Sequence, residues 1–362
     1  MKILFTVKAL VGITGGAERV LCDVASGLAE KGHDIAVLSF DKTGGEPFYS
    51  LSPSVRRITC GIGDTMKRAT AFETLSRMAA IRKAVKAENP DAVVAFMHSM
   101  FIPTAFALIG TGIPVVGSEH IVPDHYKNRQ TEYWLLIASS FFMKKITVLS
   151  EQIASSYPWP VRRKMVPIPN PVAIPDMLSD RMGTTILNIG RLEEQKDQET
   201  LIRAFSLLAE DYPAWNVRIM GAGTLKEDLQ SLIEDLGLAE RVVLGGITRN
   251  IGAEYAAASI FALPSRYESF GLATAEAMAY ALPVIGFADC PGTNELISHD
   301  ENGILVSGQN RIAAFEGGLR ILLQSGDYRI RIGNNARQII KKYDIACIVK
   351  SWEKLIALTL SK

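Results

Sequence analysis

The sequence predicts an α/β protein built from two doubly wound parallel sheets. Short apolar strands alternate with amphipathic helices along nearly the whole chain, a pattern typical of parallel sheets. The alternation stops once, at the proline-rich residues 166–175, and then starts again. A chain of 362 residues is also longer than one compact domain usually is. We therefore expect two domains, residues 1–170 and 171–344, followed by a C-terminal helix in residues 345–362.

In the first half, apolar runs of four to six residues predict strands, and apolar residues at helical spacing predict helices. The predicted strands cover residues 2–7, 34–40, 92–97, 114–118 and 146–149, and the predicted helices cover 16–31, 71–88 and 100–109. The prolines of residues 166–175 argue against either regular element, so this passage is expected to be a linker.

The second half repeats the alternation. The predicted order is strand 185–189, helix 197–210, strand 216–220, helix 224–236, strand 241–244, helix 251–257, strand 260–263, helix 272–281, strand 283–287 and a long helical tail. At the end of this tail, Ile345 to Leu360 place Ile348, Trp352 and Leu355 on one face. Such a helix could coat either domain.

Composition limits the classes of function. Hydrophobic residues make up 48% and charged residues 21%, as in a globular protein. The net charge is +1, and the excess of basic residues in the first half falls well short of a nucleic-acid binder. The first strand follows Met1-Lys2 directly, so no signal peptide is expected. The four cysteines have no paired spacing and predict reduced thiols in a cytoplasmic protein: Cys22, Cys60, Cys290 and Cys347.

The most informative stretch contains two glutamates eight positions apart. Glu268 lies in a polar turn after the strand 260–263, and Glu276 lies about one turn into the next helix. Ligands of open α/β sheets bind at this carboxyl edge of the strands. Two carboxylates there suit a ligand rich in hydroxyl groups, such as ribose and a sugar ring.

Three loops could bind the anionic part of such a ligand. Gly190-Arg191-Leu192 with Lys196 carries two cations that can reach one diphosphate, although pairing with neighbouring glutamates is equally compatible. Gly15-Gly16 opens the first helix, and Gly221 follows a strand of the second domain. Each glycine turn could approach a ligand or be a plain tight turn.

His120 follows a strand of the first domain and could donate a hydrogen bond or carry a proton. It is preferred over His98 because Glu119 and Asp124 flank it, whereas methionines flank His98. The sequence has no Asp-x-Asp motif, no metal-ligand spacing and no Gly-x-Ser-x-Gly motif. A metal-dependent phosphoryl enzyme and a serine hydrolase are therefore disfavoured.

In order along the chain, these motifs resemble the large retaining glycosyltransferase family 4. The match includes the Gly-Gly turn, Pro169-Asn170, Gly-Arg-Leu with its lysine, Glu-x7-Glu, and Gly-Thr-Asn-Glu-Leu-Ile at 292–297. The resemblance spans essentially the whole chain. It implies a GT-B fold, in which two Rossmann-like domains face a cleft, and a C-terminal helix that packs back on the first domain.

The resemblance also implies roles for the matching residues. Arg191 and Lys196 would hold the donor diphosphate and stabilise the leaving group, with the backbone amides of Gly15 and Gly16 near the same phosphates. His120 would lie near the reacting centre. Glu268 would contact the sugar hydroxyls, and Glu276 would contact the ribose. The backbone amides of Phe270, Gly271 and Leu272 would contact both sugar and phosphate. Gly246 and Ile247 would contact the base, and Gly221 would lie in a turn near the donor.

The resemblance implies transfer of a hexose or N-acetylhexosamine, with retention, from a UDP sugar to a glycan or polyprenyl-linked acceptor, without a metal cofactor. Residues 288–295 look similar to bacterial members that act on lipid-linked glycans, including N-acetylgalactosaminyl transfer to an undecaprenyl-linked oligosaccharide. A sugar-nucleotide epimerase of the same fold and a non-catalytic sugar-nucleotide-binding subunit remain alternatives. A NAD dehydrogenase is disfavoured, because the dinucleotide fingerprint is absent.

Two segments of the first half combine basic and apolar residues and predict contact with an anionic membrane surface. One runs from Met66-Lys67-Arg68 into the helix that contains Phe72 and Leu75, and the other runs from Tyr126 through Trp134 to residues 141–145. An ordinary amphipathic helix packed on the sheet explains the same pattern. The protein would then be cytoplasmic and peripheral on the inner face of the plasma membrane.

Overall fold

The structure is a computed structural model that describes residues 1–67 and 69–361, with the side chains of residues 124 and 125 left out. The chain forms two compact units, one of Met1–Pro171 with Ile345–Lys362 and one of Val172–Asp344. Each unit is built on its own parallel sheet with helices between the strands. The predicted α/β class with two doubly wound sheets is confirmed.

The first unit has a seven-stranded parallel sheet in the order β3-β2-β1-β4-β5-β6-β7. Its strands are β1 (Lys2–Thr6), β2 (Asp34–Ser39), β3 (Arg56–Thr59), β4 (Ala92–Phe96), β5 (Val115–Ser118), β6 (Lys145–Val148) and β7 (Met165–Pro167). Its helices are α1 (Gly16–Glu30), α2 (Ala71–Glu88), α3 (His98–Ala107), α4 (Gln130–Ser140), α5 (Glu151–Ser155), α6 (Trp159–Arg162) and α14 (Ile345–Leu360), with a 3₁₀ turn at Pro123–Tyr126.

The C-terminal helix α14 belongs to the first unit and packs on α1. Val349 lies so close to Gly27 of α1 that a Cβ atom at Gly27 would meet its side chain at 2.6 Å. Trp352 is buried and stacks on Phe96 of β4, with 5.7 Å between ring centroids. The apolar face of α14 is therefore part of the core of the first unit.

The second unit has a six-stranded parallel sheet in the order β10-β9-β8-β11-β12-β13. Its strands are β8 (Thr185–Ile189), β9 (Asn216–Met220), β10 (Val242–Gly246), β11 (Ile260–Leu263), β12 (Val284–Phe287) and β13 (Ile304–Val306). Its helices are α7 (Gln198–Ser206), α8 (Lys226–Asp235), α9 (Ile251–Ala257), α10 (Leu272–Ala279), α11 (Thr293–Leu296), α12 (Arg311–Gln324) and α13 (Gly326–Ile340), with a 3₁₀ turn at Lys341–Tyr343.

Two sequence predictions about elements are wrong. The proline-rich passage is not entirely irregular, because its first residues belong to β7, which pairs with β6 at the edge of the sheet. An edge strand tolerates Pro167 since one side of its backbone needs no partner strand. The tail after β12 is not only helical either, because β13 adds a further parallel strand before α12. Strand β3 and helix α4 were not predicted at all.

Among the residues that the structure describes, no helix combines the length and the apolar character needed to cross a membrane.

Candidate active site

Two neighbouring strands of the second unit end in loops that are tied to each other. Loop 190–197 follows β8 and loop 264–271 follows β11, the strand that pairs with β8. The side-chain amide of Gln195 donates a hydrogen bond to the carbonyl of Tyr267 (2.8 Å), and the backbone N–H of Arg266 donates to the carbonyl of Gln195 (2.9 Å). The carboxyl edge therefore carries one combined surface from both loops.

Lys196 and Glu268 meet on this surface. The Nζ atom of Lys196 lies 2.6 Å from Oε1 of Glu268, and both side chains are largely buried. The backbone N–H of Glu268 donates to the carbonyl of Pro291 (3.1 Å), which holds loop 264–271 against the segment that contains Pro291. A charge-assisted hydrogen bond of this length orients both groups, so the carboxylate is held as a positioned acceptor.

Arg191 lies in the same loop but points into solvent. Its side chain is 61% exposed, with NH1 2.8 Å from the carboxylate of Glu193 and NH2 3.2 Å from Oε1 of Gln195. These partners hold the guanidinium in a defined position while leaving it accessible. Arg191 and Lys196 thus provide one exposed and one sheltered cation in a single loop.

The glycines after β9 serve the packing of this loop. A Cβ atom on Gly221, which has φ +146°, would collide with the carbonyl oxygen of Gly190, and one on Gly223 would collide with the carbonyl of Leu192. The N–H of Leu192 donates to the carbonyl of Ala222 (3.0 Å). The close packing of these two loops therefore requires glycine at position 221, which fits the predicted alternative of a plain tight turn.

Sequence reasoning missed a second layer that supports the loops. Arg311 lies 3.1 Å from the buried Asp197, donates to the carbonyl of Pro264 (2.7 Å) and stacks over the ring of Phe287 at 3.6 Å. This arginine begins α12, more than a hundred residues after Asp197. The sequence carried no signal for it, because an arginine at a helix start usually looks like a surface residue.

The segment from Phe270 to Leu272 starts helix α10. Gly271 is the N-cap in the left-handed conformation (φ 77°), and Phe270 is buried against Tyr343 with edge-to-face geometry. Gly292 (φ +78°) lies under this loop, where a Cβ atom would come within 2.9 Å of the Phe270 nitrogen. The start of α10 is therefore fixed at the same edge of the sheet as Glu268.

Glu276 belongs to a separate group centred on Tyr255 of α9. It is buried, and its Oε2 atom accepts a hydrogen bond from the Tyr255 hydroxyl (2.8 Å). Tyr255 in turn stacks on Tyr280 (5.3 Å). Sequence reasoning placed Glu276 correctly on a helix but did not find Tyr255. Ile247 follows β10 and is 58% exposed, next to Gly246 with φ +70°.

In the first unit, His120 follows β5 at the carboxyl edge of that sheet. Its Nε2 atom lies 2.9 Å from Oγ of Ser118, and its ring stacks on Phe96 at 5.1 Å. Burial lowers the pKa of His120 to about 4. The imidazole is therefore neutral near pH 7, which suits hydrogen bonding better than delivery of a proton.

His120 was preferred over His98 because Glu119 was expected to lie beside it in a polar loop. That expectation is wrong, because Glu119 is fully buried. Its carboxylate accepts hydrogen bonds from the N–H groups of His120 (3.0 Å) and Ile121 (3.2 Å) and from the Tyr126 hydroxyl (2.7 Å). Burial raises its pKa to about 7. Glu119 thus shapes the turn that carries His120. The side chain of Asp124, its predicted companion, lies outside the described residues.

The Gly15-Gly16 turn caps helix α1, with Gly15 as N-cap. The carboxylate of Glu18 folds back over Gly15 so closely that a Cβ atom there would collide with it. Burial raises the pKa of Glu18, partly offset by Lys8. An acidic side chain at the start of a helix is stabilised by the helix dipole. The sequence left both a ligand-facing turn and a plain tight turn open here, and it assigned no role to Glu18.

No group of three or more His, Cys, Asp or Glu side chains in the described part of the chain is arranged to hold a metal ion.

Comparisons with known proteins agree with this architecture. The family model described as glycosyltransferase family 4 matches residues 14–174, and the model described as glycosyl transferases group 1 matches residues 174–339. A glycosyltransferase of Haemophilus influenzae is 28% identical over 356 residues, covering 96% of this chain and 97% of the relative.

A relative from Campylobacter jejuni is 28% identical, with 99% of this chain and 98% of the relative covered. Its name describes an α-1,4-N-acetyl-D-galactosaminyltransferase that acts on an undecaprenol diphosphate-linked glycan. Sucrose-phosphate synthase from Thermosynechococcus elongatus has a similar fold, with a TM-score of 0.85 at 18% identity and coverage of 99% and 98%. Anabaena HepE, solved with UDP and glucose, gives 0.80 at 20% identity, with coverage of 99% and 100%.

Together, the two family models span nearly the whole chain, and the candidate residues of each unit lie within the range matched by the model for that unit. The protein belongs to the family 4 type of glycosyltransferase, with the GT-B fold. It is a glycosyltransferase enzyme, as the sequence predicted.

Proposed function

We propose that this glycosyltransferase moves a hexose or N-acetylhexosamine, with retention, from a UDP sugar to a glycan or polyprenyl-linked acceptor. The observation that carries the proposal is the Lys196–Glu268 pair at 2.6 Å, next to the exposed Arg191 at the carboxyl edge of the second sheet. The names of relatives support it: two Campylobacter jejuni enzymes use undecaprenol diphosphate-linked acceptors. Anabaena HepE was solved with UDP-glucose.

In this proposal, the cations stabilise the leaving group. As the bond between sugar and diphosphate breaks, negative charge develops on the diphosphate. Arg191 offers a planar guanidinium that can hold two phosphate oxygens, and Lys196 offers a compact charge. The amides at the start of α10 add partial positive charge at the same edge. Loss of one such fixed donor typically costs ~10²–10³ in rate.

Glu268 is proposed to position the transferred sugar rather than to attack it. A carboxylate that shares a short hydrogen bond with an ammonium group is a poor nucleophile, because its charge is already stabilised. A positioned acceptor, in contrast, can receive hydrogen bonds from sugar hydroxyls. Glu276, oriented by Tyr255, is proposed to accept hydrogen bonds from the ribose hydroxyls of the nucleotide.

The proposal is tested first by ligand binding and turnover. UDP sugars should raise the melting temperature more than GDP or ADP sugars at equal concentration, because only a bound ligand stabilises the folded state. Release of UDP should require a glycan or polyprenyl-linked acceptor. UDP release without an acceptor, or interconversion of the sugar, would favour the epimerase. Binding without any turnover would favour a non-catalytic subunit.

Three variants separate catalysis from stability. Lys196→Ala should reduce transfer by at least about a hundredfold, but it also leaves the buried Glu268 without its cation. The double variant Lys196→Ala with Glu268→Gln should recover stability without recovering transfer, because the buried charge is gone and the catalytic cation is still missing. Lys341→Ala, at an exposed lysine of the same unit, is the control and should match the wild type.

The ribose contact has its own test. Glu276→Ala should weaken UDP binding by roughly 1–3 kcal/mol, the usual cost of lost charged hydrogen bonds. Isothermal titration with UDP measures this directly, and an unchanged affinity would refute the proposed contact.

A further inference from the structure

The first unit carries an exposed surface in which aromatic rings and cations lie side by side. It is formed where α4 leads into β6 and where α6 leads into β7, at the amino ends of two paired strands. We call it the basic aromatic patch. Its residues are Phe141, Phe142, Lys144, Trp159, Arg162 and Arg163, all of them exposed.

Contacts within the unit hold the two halves of the patch together. Lys164 donates hydrogen bonds from Nζ to the carbonyls of Ser140 (2.7 Å), Phe141 (3.3 Å) and Met143 (2.8 Å). The N–H of Ile146 donates to the carbonyl of Lys164 (2.9 Å). The patch is therefore a defined surface of the fold and not the accidental proximity of two loops.

The apolar part of the patch remains exposed despite its size. The exposed fractions are 56% for Phe141, 48% for Phe142 and 62% for Trp159. On its inner side Phe142 packs against Phe106 of α3, with 5.8 Å between the ring centroids. The Cζ atom of Arg163 lies 4.9 Å from the centre of the Trp159 ring. Three large rings on one surface are unusual for a region that contacts only water.

The charge of the patch has a single sign. Segments 139–145 and 156–165 contain five cations and no Asp or Glu, and the connection 108–114 beside them has no charged residue. Burial lowers the pKa of Lys164, and the charges of Arg163 and Lys144 lower it further. Positive charge is thus concentrated here without acidic residues from the adjoining connection to neutralise it.

We propose that the basic aromatic patch binds the surface of a membrane rich in anionic lipids. The cations would attract the lipid phosphates, while Phe141, Phe142 and Trp159 would enter the interface between headgroups and acyl chains. This surface lies at the opposite edge of the sheet from His120, so binding leaves the carboxyl edge of the first unit uncovered. The proposal goes beyond the proposed function, because it concerns adhesion and not transfer.

The structure also separates the two segments that the sequence grouped as membrane candidates. The other segment, with Phe72 and Leu75, lies at the start of α2, which follows the carboxyl end of β3. Both side chains are exposed, but the neighbouring Glu73 and Asp64 bring acidic charge. Arg68, which the sequence assigned to this segment, lies outside the described residues. The basic aromatic patch is therefore the better match to an anionic surface.

Sedimentation of the 362-residue chain with vesicles tests the proposal. We expect binding to vesicles of phosphatidylcholine mixed with phosphatidylglycerol, little binding to pure phosphatidylcholine, and release from the mixed vesicles at high salt, because salt screens exposed charges. Equal binding to both vesicle types, or no binding to the anionic ones at low salt, would overturn it.

Matched variants locate the binding surface. The double variant Arg162→Gln with Arg163→Gln should weaken vesicle binding roughly 25-fold, since each cation near an anionic surface contributes about fivefold. Phe141→Ala should weaken it about tenfold by removing half-exposed apolar surface. The controls are Lys341→Gln with Lys342→Gln, which removes the same charge from the second unit, and Phe72→Ala, which removes an exposed ring at the opposite edge.

Both controls should bind vesicles as the wild type does, and circular dichroism should show that every variant is folded. If the controls lose as much binding as the patch variants, binding reflects general charge and the proposal fails. It also fails if the patch variants bind normally. Concentration-dependent self-association that is lost in the patch variants, without any vesicle binding, would identify a protein interface instead.

Discussion

Side chains at the site are positioned by partners that lie far away in the sequence. Lys196 reaches Glu268 and Gln195 reaches Tyr267, each 72 residues further along the chain. Because β8 and β11 are neighbours in the sheet, their loops meet although many elements separate them. Motif spacing located these loops, but which side chains pair within them depends on strand order and loop packing.

In the first unit, the buried Glu119 makes stability depend on pH. Its pKa is raised from 4.5 to about 7, so its stabilising contribution is complete below pH 4.5 and is lost as pH rises through about 7. His120 has the opposite sign. Its pKa is lowered from 6.5 to about 4, so its contribution is present above pH 6.5 and is lost as pH falls through about 4. The two effects oppose each other between about pH 4.5 and 6.5.

Glu119→Gln should therefore reveal the effect of His120. Glutamine can keep hydrogen bonds to the turn without titrating, so the unfolding free energy of the variant should rise with pH between about 4 and 6.5 more steeply than that of the wild type. Urea denaturation across this range measures the slopes. Glu30→Gln, at an exposed glutamate of the same unit, should keep the wild-type slope. Identical slopes for Glu119→Gln and the wild type would contradict the prediction.

At the scale of elements, sequence patterns identified most of the long strands and helices, although not α4, and they missed the shortest strands. Strands β8, β9 and β11 have the predicted bounds, because each is a clear apolar run between turn residues. Strands β7 and β13 have only three residues each, too few for an alternation to be recognised. Both lie at sheet edges, where pairing with a neighbour rather than local propensity makes the strand.

The same limit applies to the glycine turns. The sequence suggested that Gly221 could face a ligand or form a tight turn. Its φ of +146° and its contact with the Gly190 carbonyl come from the approach of the loops after β8 and β9. No spacing rule encodes that approach, because it depends on the pairing of two strands. The site was therefore predictable as a set of loops, but not as a set of contacts.

Gly221→Ala should test whether this loop packing shapes the site. The added methyl group would collide with backbone at Gly190, so loop 190–197 must shift and carry Arg191 and Lys196 with it. We expect UDP affinity to fall at least about tenfold, together with a loss of roughly 1–3 kcal/mol of stability from the strained backbone. Calorimetric titration and urea denaturation measure both.

Gly237→Ala is the matched control. Gly237 also has a positive φ (+67°), but a Cβ atom there meets nothing within 4 Å. This variant should lose about 1 kcal/mol of stability from its backbone alone and keep normal UDP affinity. If Gly221→Ala binds UDP as tightly as this control does, the packing of Gly221 does not shape the site.

At the scale of the whole molecule, the chain consists of two units with separate cores, and its last helix returns to the first of them. The sequence left both placements of the amphipathic residues 345–360 open, because an apolar face does not specify which surface it covers. Trp352 lies among buried residues of the first unit and stacks on Phe96, whose other neighbours include Phe5 and His120. The C-terminal helix thus completes the core beside the turn that carries His120.

Trp352→Ala should therefore destabilise the first unit selectively. Removing a buried tryptophan typically costs about 3–5 kcal/mol, because the cavity relaxes only in part. Denaturation should then show an early transition for the first unit. The later transition should be reported by the fluorescence of Trp215, since Trp215 is the tryptophan of the second unit.

Trp134→Ala, at a tryptophan that is 64% exposed in the first unit, should change stability by no more than about 0.5 kcal/mol. A single unshifted transition for Trp352→Ala would show that the helix contributes little to the core, and an equal loss for Trp134→Ala would show that the effect is not specific to burial.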